Sequence, residues 1–318
     1  MHRLLESGLH PVYYPSSRAQ NCPLRERPVV SLRDERVNND QIRRDCVGSS
    51  IAYSAWVLGA GPIYNASIAE AESDRRPERN GNAGDVKSQV QLGLDYLTGN
   101  GVGKDDAEAV KWLRKAADQD NPLGERYLAE MYFKGRGVPA DNAEAAKWLR
   151  LAAEQGDPQS QHNLAVLYTQ GLGVPRNLKE AVKWMRKAAE QGLAAGQVGM
   201  GVLYENGEGV PEDPVEAVQW YRLAVDQNDW GAMNNLARLL ATTKNERVRN
   251  PQEAVALATK AVAAANNPDY VDTLAAAYFA AGQTDKAIEA EQKALAMNPG
   301  NDSYKESLQK YLGANGGR

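Results

Sequence analysis

The sequence predicts an all-α protein: an α/α solenoid (superhelix) of about six antiparallel helix pairs plus a capping helix, preceded by a largely unstructured N-terminal segment. Three observations carry this reading. The fourteen residues AEAVKWLRKAADQD from Ala107 return as AEAAKWLRLAAEQG from Ala143, KEAVKWMRKAAEQG from Lys179 and VEAVQWYRLAVDQN from Val215, each start 36 residues after the last. Tyr96, Tyr132, Tyr168 and Tyr204 keep the same period, as do Gly101, Gly137, Gly173 and Gly209. The composition is alanine-rich with amphipathic aromatics, 14 Tyr and 6 Trp against 2 Phe, as closely packed helices require. A fixed period of roughly 20 to 50 residues marks a solenoid whose units bury their apolar faces against one another.

Within a unit the spacing resolves two helices. Helix A carries Leu128, Ala129 and Tyr132 on one face, repeated as Leu164, Ala165 and Tyr168, a one-sided apolar stripe. Its small position, Gly93, Ala129, Ala165, Gly201 and Ala237, admits another helix at close range. The glycines of GRGV then end helix A, because glycine accepts the left-handed backbone of a helix terminus. Helix B opens at Asp105, Asp141, Asn177 and Asp213, each followed three residues on by Glu108, Glu144, Glu180 or Glu216. That spacing predicts a capping box, in which each end's side chain satisfies an unpaired backbone N–H at the other. Pro214 sits at a first helical position, where its missing N–H costs nothing. Helix B buries Ala145, Trp148, Leu149 and Ala152 and ends at Gly156, whose counterparts Asp120, Gly192 and Asn228 also tolerate positive φ. Each of Trp112, Trp148, Trp184 and Trp220 is expected in the joint with the next helix pair, where an indole buries roughly 150 to 250 Å².

These residues resemble Sel-one-like (Sel1-like) repeats, a longer variant of the tetratricopeptide repeat that folds as antiparallel helix pairs. The resemblance covers about Gly84 to Asn228 in four units, so residues 86–228 form the first part of the solenoid. Residues 229–313 then hold a transitional unit, with Leu257 in the tryptophan position, and a unit similar to an ordinary tetratricopeptide repeat at Leu274, Ala275, Tyr278, Ala287, Ala294 and Pro299. A capping helix follows, with Tyr304, Leu308 and Leu312 expected on one face.

The first 85 residues have a separate character: 11 arginines and no lysine precede Lys87. Residues 1–42 lack a sustained period and read as disordered. Arg43 and Arg44 then precede a stretch without charge from Cys46 to Ala69, closed by Ala69-Glu70-Ala71. Basic flank, apolar middle and small-x-small end over about 43–71 are the parts of a secretory signal peptide. A translation start near Val37 would place the arginines in a normal n-region. An uncleaved anchor and a cytosolic extension remain the alternatives, the anchor weakened because spanning wants about 20 predominantly apolar residues. No lipobox precedes Cys46, and Cys22 and Cys46 both lie before the repeats, so no disulfide joins one repeat to the next. The expected compartment is the periplasm or envelope, otherwise the cytoplasm, with membrane association only if 46–69 is retained.

A net charge of −4 argues against a general nucleic-acid binder. Of three histidines, His2 and His10 lie in the extension and His162 alone lies in the repeats, so neither a Ser/His/Asp arrangement nor a metal site with close ligands is found. The glycine pairs lack the GK[ST] ending of a phosphate loop and serve as turns. No cofactor is expected. Some Sel-one-like proteins are associated with penicillin binding or β-lactamase activity and share cysteine pairs within each repeat; residues 87–318 contain no cysteine. A hydrolase of peptidoglycan-like amides is thus the weaker reading.

The stronger one is a non-enzymatic interaction scaffold. The resemblance implies that helix A lines a concave groove, which places Arg126, Glu130, Lys134, Gln159, His162, Glu205, Asn234 and Arg238 there. They are expected to face another protein or peptide, with His162 exposed. Bacterial members of the family resemble adaptors for envelope processes, among them sensor-kinase regulation, exopolysaccharide export and host contact.

Overall fold

A residue with positive φ, most often glycine, ends one helix and a carboxylate or carboxamide usually begins the next, an alternation that runs through the first four helix pairs among the described residues. The computed structural model describes residues 85–315. Among them all regular structure is helical. Six antiparallel A/B pairs run in order: α1 (Val86–Thr98) with α2 (Asp106–Ala117), α3 (Pro122–Lys134) with α4 (Asn142–Glu154), α5 (Pro158–Gln170) with α6 (Leu178–Glu190), α7 (Ala194–Asn206) with α8 (Pro214–Asp226), α9 (Trp230–Thr242) with α10 (Pro251–Ala264), and α11 (Pro268–Ala280) with α12 (Thr284–Met297). The cap is α13 (Asp302–Asn315). Consecutive helices pack on one another throughout, as a solenoid requires. The leader stretch 43–71, both cysteines, His2 and His10 lie outside the described residues. No helix among the described residues is long and apolar enough to cross a membrane.

The B helices start where expected but by half of the expected device. Asp105, Asp141, Asn177 and Asp213 each accept from the backbone N–H groups two and three residues on. The reciprocal bond from the glutamate is not made. Each cap's own N–H donates instead to the tyrosine carbonyl of the preceding A helix, Tyr96, Tyr132, Tyr168 or Tyr204, at 2.9 Å. That carbonyl is one of the orphans at a helix C-terminus, so one bond closes both ends of the turn. Three of the glutamates pair instead with lysines three residues on, Glu108 with Lys111 at 2.5 Å, Glu144 with Lys147 and Glu180 with Lys183.

Two glycines serve each A-to-B turn differently. Gly135 is the left-handed C-cap of α3 at φ 65°. Gly137, at φ 68°, lies on the start of the previous B helix, where a Cβ would collide with the Asp106 carbonyl oxygen; Gly173 stands in the same relation to Asn142. Gly101 has nothing within 4 Å among the described residues, which hold no unit before its own.

The core runs between the rows. Leu113, Leu149, Met185 and Tyr221 of the B helices are each at most 4% exposed. They face the small A-helix position: a Cβ on Gly93 would strike Leu113, and one on Gly201 would strike Tyr221. A larger tyrosine thus fits opposite a glycine. Trp148 and Trp184 are buried at 8% and 5% exposure, while Trp112 and Trp220 are only partly buried. The expectation of four equally buried indoles therefore holds for the middle two. Lysine ammonium groups stand over the indoles, Lys147 Nζ 5.5 Å from the Trp148 centroid and Lys187 Nζ 4.6 Å from that of Trp184, as cation–π contacts. In α13 the buried set is Tyr304 and Tyr311, and Leu312 is 48% exposed. Seven residues at 3.6 per turn return closer to the starting face than eight do, so Tyr311 takes the place expected of Leu312.

Candidate functional site

Two pairs of successive A helices touch, α5 with α7 and α9 with α11, and no comparable contact joins two B helices among the described residues. The A helices are therefore the inner row, and all eight residues expected on the groove sit on them.

The structure joins these residues in small groups. Arg238 makes a close ion pair with Glu205 across neighbouring units, Nη1 to Oε1 at 2.8 Å and Nη2 to Oε2 at 2.9 Å, and the Tyr221 hydroxyl donates to the same carboxylate at 2.8 Å. Gln159 Nε2 donates to Asn163 Oδ1 at 3.0 Å, and His162 Nδ1 lies 3.2 Å from that oxygen. Lys134 pairs with Glu130 at 2.6 Å. Arg126 stands apart, its Nε 3.5 Å from Asp157, its guanidinium 4.7 Å from the Tyr127 ring.

His162 and Asn234 are not exposed, contrary to expectation: they are 1% and 0% exposed. Touching A helices place inner-row positions between helices rather than on an open floor. Burial holds the His162 imidazole down to about 4, against the opposing contact with Asn163, so the ring is neutral at pH 7. Neither amide atom of Asn234 meets a hydrogen-bond partner among the described residues, nor does Asn163 Nδ2.

Two polar ladders accompany the row. Gln119, Gln155, Gln191 and Gln227 close each B helix and donate 30 residues back to Gln89, Glu125, Gln161 and Gln197. Arg114, Arg150 and Arg186 donate forward to the Tyr132, Tyr168 and Tyr204 hydroxyls, at 2.6 and 2.9 Å for the last two. Their signal in the sequence is the 36-residue recurrence of polar residues that no apolar stripe needs. Glu125, the one acid among glutamines, is fully buried, and burial with the nearby Asp120 charge lifts its carboxyl to about 7.

Further along, the half-buried Asp272 of α11 and the fully buried Glu291 of α12 form an acid pair. Burial raises both, and the Asp272 charge raises Glu291 further. As a carboxylate Glu291 would meet no donor among the described residues; as a carboxylic acid it donates to Asp272. No periodic signal marks these two. Among the described residues no group of three or more His, Cys, Asp or Glu is placed to hold a metal ion.

The Sel1 repeat family model matches residues 86–121, 122–157, 158–193, 194–229 and 231–266, the last falling on the unit that the sequence sets apart as transitional. A solved Sel1 repeat protein from Oxalobacter formigenes is 30% identical with a TM-score of 0.56, over 61% of this chain and 76% of that one. The c5321 protective antigen of uropathogenic Escherichia coli, of SLR fold, is 30% identical over 72% of this chain and 57% of its own, with a TM-score of 0.47. The structure of the APC/C hetero-tetramer Cut9–Hcn1 shares the fold alone, at 16% identity and a TM-score of 0.53 over 77% and 45% of the two chains. No curated protein matches.

Proposed function

The chain belongs to the Sel1 repeat family, and on that premise we propose that it is a non-enzymatic adaptor holding a partner protein or peptide along its inner row of A helices, in the bacterial envelope. Repeat folds of this kind are in general protein-interaction scaffolds, because their curved inner surface is long and its residues are free of core duty.

The observation that carries the reading is the polar lining that reaches the surface of the row: Arg126, Glu130, Lys134, Gln159, Glu205 and Arg238 are all exposed or half-buried, whereas Asn234 and His162 are closed off between helices. A polypeptide backbone lying along the row offers these side chains an acceptor and a donor per residue. The close Glu205–Arg238 pair at 2.8 Å beside it is positioned to fix that backbone's register. The envelope assignment is supported by the basic, uncharged and small-x-small order of residues 43–71.

A photo-crosslinking side chain placed at Gln159 or Lys134 should capture one discrete protein in the native host, and the same group at Lys147 or Lys183 on the B helices should not. Equal capture from both rows would overturn the groove assignment. Fractionation with N-terminal sequencing of the native protein tests the compartment: a cytoplasmic, uncleaved chain would overturn the envelope assignment. β-Lactam turnover above background, lost on Glu205→Gln, would replace the adaptor with the hydrolase.

A further inference from the structure

A separate cavity of about 280 Å³ opens where α9, α11 and α13 end, lined by Ala241, Ala276, Phe279, Ala280, Arg249 and Lys310 with Thr242 and Tyr311 beside them. Its floor is apolar. Phe279 stacks on Tyr311 with ring centroids 4.6 Å apart, and Lys310 Nζ stands 5.2 Å from the Phe279 centroid. Arg249 and Lys310 are both exposed, and neither forms an ion pair with a carboxylate among the described residues. The contact printed for the Arg249 guanidinium is a long one, 3.5 Å to the Ala241 carbonyl. By contrast, Arg222 pairs with Glu253 at 2.8 Å and Arg238 with Glu205 at 2.8 Å.

We propose that this cavity takes the carboxy-terminal residue of a partner polypeptide, its free carboxylate between Arg249 and Lys310 and its apolar side chain on Phe279, Ala276 and Ala280. Two unpaired cations at the edge of an aromatic and alanine floor demand a ligand that is anionic on one side and apolar on the other. A chain terminus with an aliphatic last residue carries both groups on one Cα. The size fits such a ligand: at about 280 Å³ the cavity lies just below the roughly 300–1,000 Å³ of sites for drug-sized molecules, room for a chain end. Asp272 and Glu291 act on Tyr311 from nearby, and burial pushes both carboxyls toward the neutral acid. The assignment goes beyond the groove reading and does not depend on it, since none of the eight groove residues lines the cavity.

The test is ligand-observed NMR on the full chain with N-acetyl-alanyl-leucine, its C-terminal amide, 4-methylpentanoate and acetate. The free acid of the dipeptide should bind, its amide at least about tenfold more weakly, because charge-assisted bonds to both cations are lost. Arg249→Gln and Lys310→Gln should each weaken the acid by about two- to fivefold, as exposed charge contacts do, with unchanged circular dichroism. Equal binding of acid and amide, no binding of the acid, or an acid affinity untouched by both variants would overturn the proposal. Binding of 4-methylpentanoate or acetate as tight as that of the dipeptide would also overturn it, by showing a site for small carboxylic acids rather than chain ends. A crosslinking failure at Gln159 leaves this outcome unaffected, so the two readings fail separately.

Discussion

Gln155 points its side-chain Nε2 at both oxygens of the buried Glu125 carboxyl, at 2.9 and 3.0 Å, where the neighbouring units bring two glutamines together at 2.7–2.8 Å. Folding takes the Glu125 carboxyl from its ordinary 4.5 to about 7, through burial first and the Asp120 charge second. The folded state therefore holds the proton more tightly than the unfolded chain, and stability falls as pH rises from about 4.5 to about 7. At about 1.4 kcal/mol per pH unit the loss is on the order of 3 kcal/mol. Glu125→Gln, which restores the neighbouring units' residue, should raise the melting temperature at pH 8 and have little effect at pH 4.5. Parallel melting curves for the two proteins across that range would show that Glu125 is not the source.

His162 produces the opposite slope. Its imidazole falls from 6.5 to about 4 on burial, so the unfolded chain binds the proton better and stability is lost as pH drops from about 6.5 toward 4. Between about 4.5 and 6.5 the two residues offset one another. The parent should thus look flatter than either single variant, with His162→Gln unmasking the Glu125 slope. An imidazole NMR titration gives the direct check: a midpoint near 6.5 for the signal that His162→Gln removes would contradict its burial.

Gly173→Ala and Gly101→Ala differ in one respect. Both positions have positive φ, 68° and 70°, but only a Cβ at 173 meets the preceding unit, at the Asn142 carbonyl. Left-handed backbone alone costs an alanine roughly 1–2 kcal/mol. Gly101→Ala should lose about that much in chemical denaturation, and Gly173→Ala at least about 2 kcal/mol more, because backbone must shift to admit the methyl. Equal losses would mean that the units do not meet at this glycine.

Trp148→Ala should destabilise by about 3–5 kcal/mol, as expected for a buried indole. Trp112, only partly buried, should cost about half as much on the same change. Urea unfolding followed by circular dichroism compares the two, and a Trp148 variant no worse than the Trp112 variant would contradict the packing between units.

Much of this architecture was legible in the sequence because a solenoid repeats its own parts. The 36-residue return of Trp148 and Trp184 located the B helices, and Gly156, Asp120 and Asn228 located their ends, all with positive φ. Depth was less legible than direction. A helical stripe tells which way Asn234 or His162 faces, but not how closely the next A helix packs beside it. The glutamate of the capping motif misled because its backbone target was already bound to a tyrosine carbonyl, a partner nine residues earlier that no local pattern reveals. Arg249 and Lys310 belong to no period and meet only through the packing of α9, α11 and α13.

The close seat of Gly173 on the carbonyl of Asn142 means that the rotation from one unit to the next is set by main chain against main chain. Side chains on either row can then drift under selection for new partners without altering the pitch of the stack. Inserting or deleting one 36-residue module would lengthen or shorten the spiral while every surviving joint kept its angle.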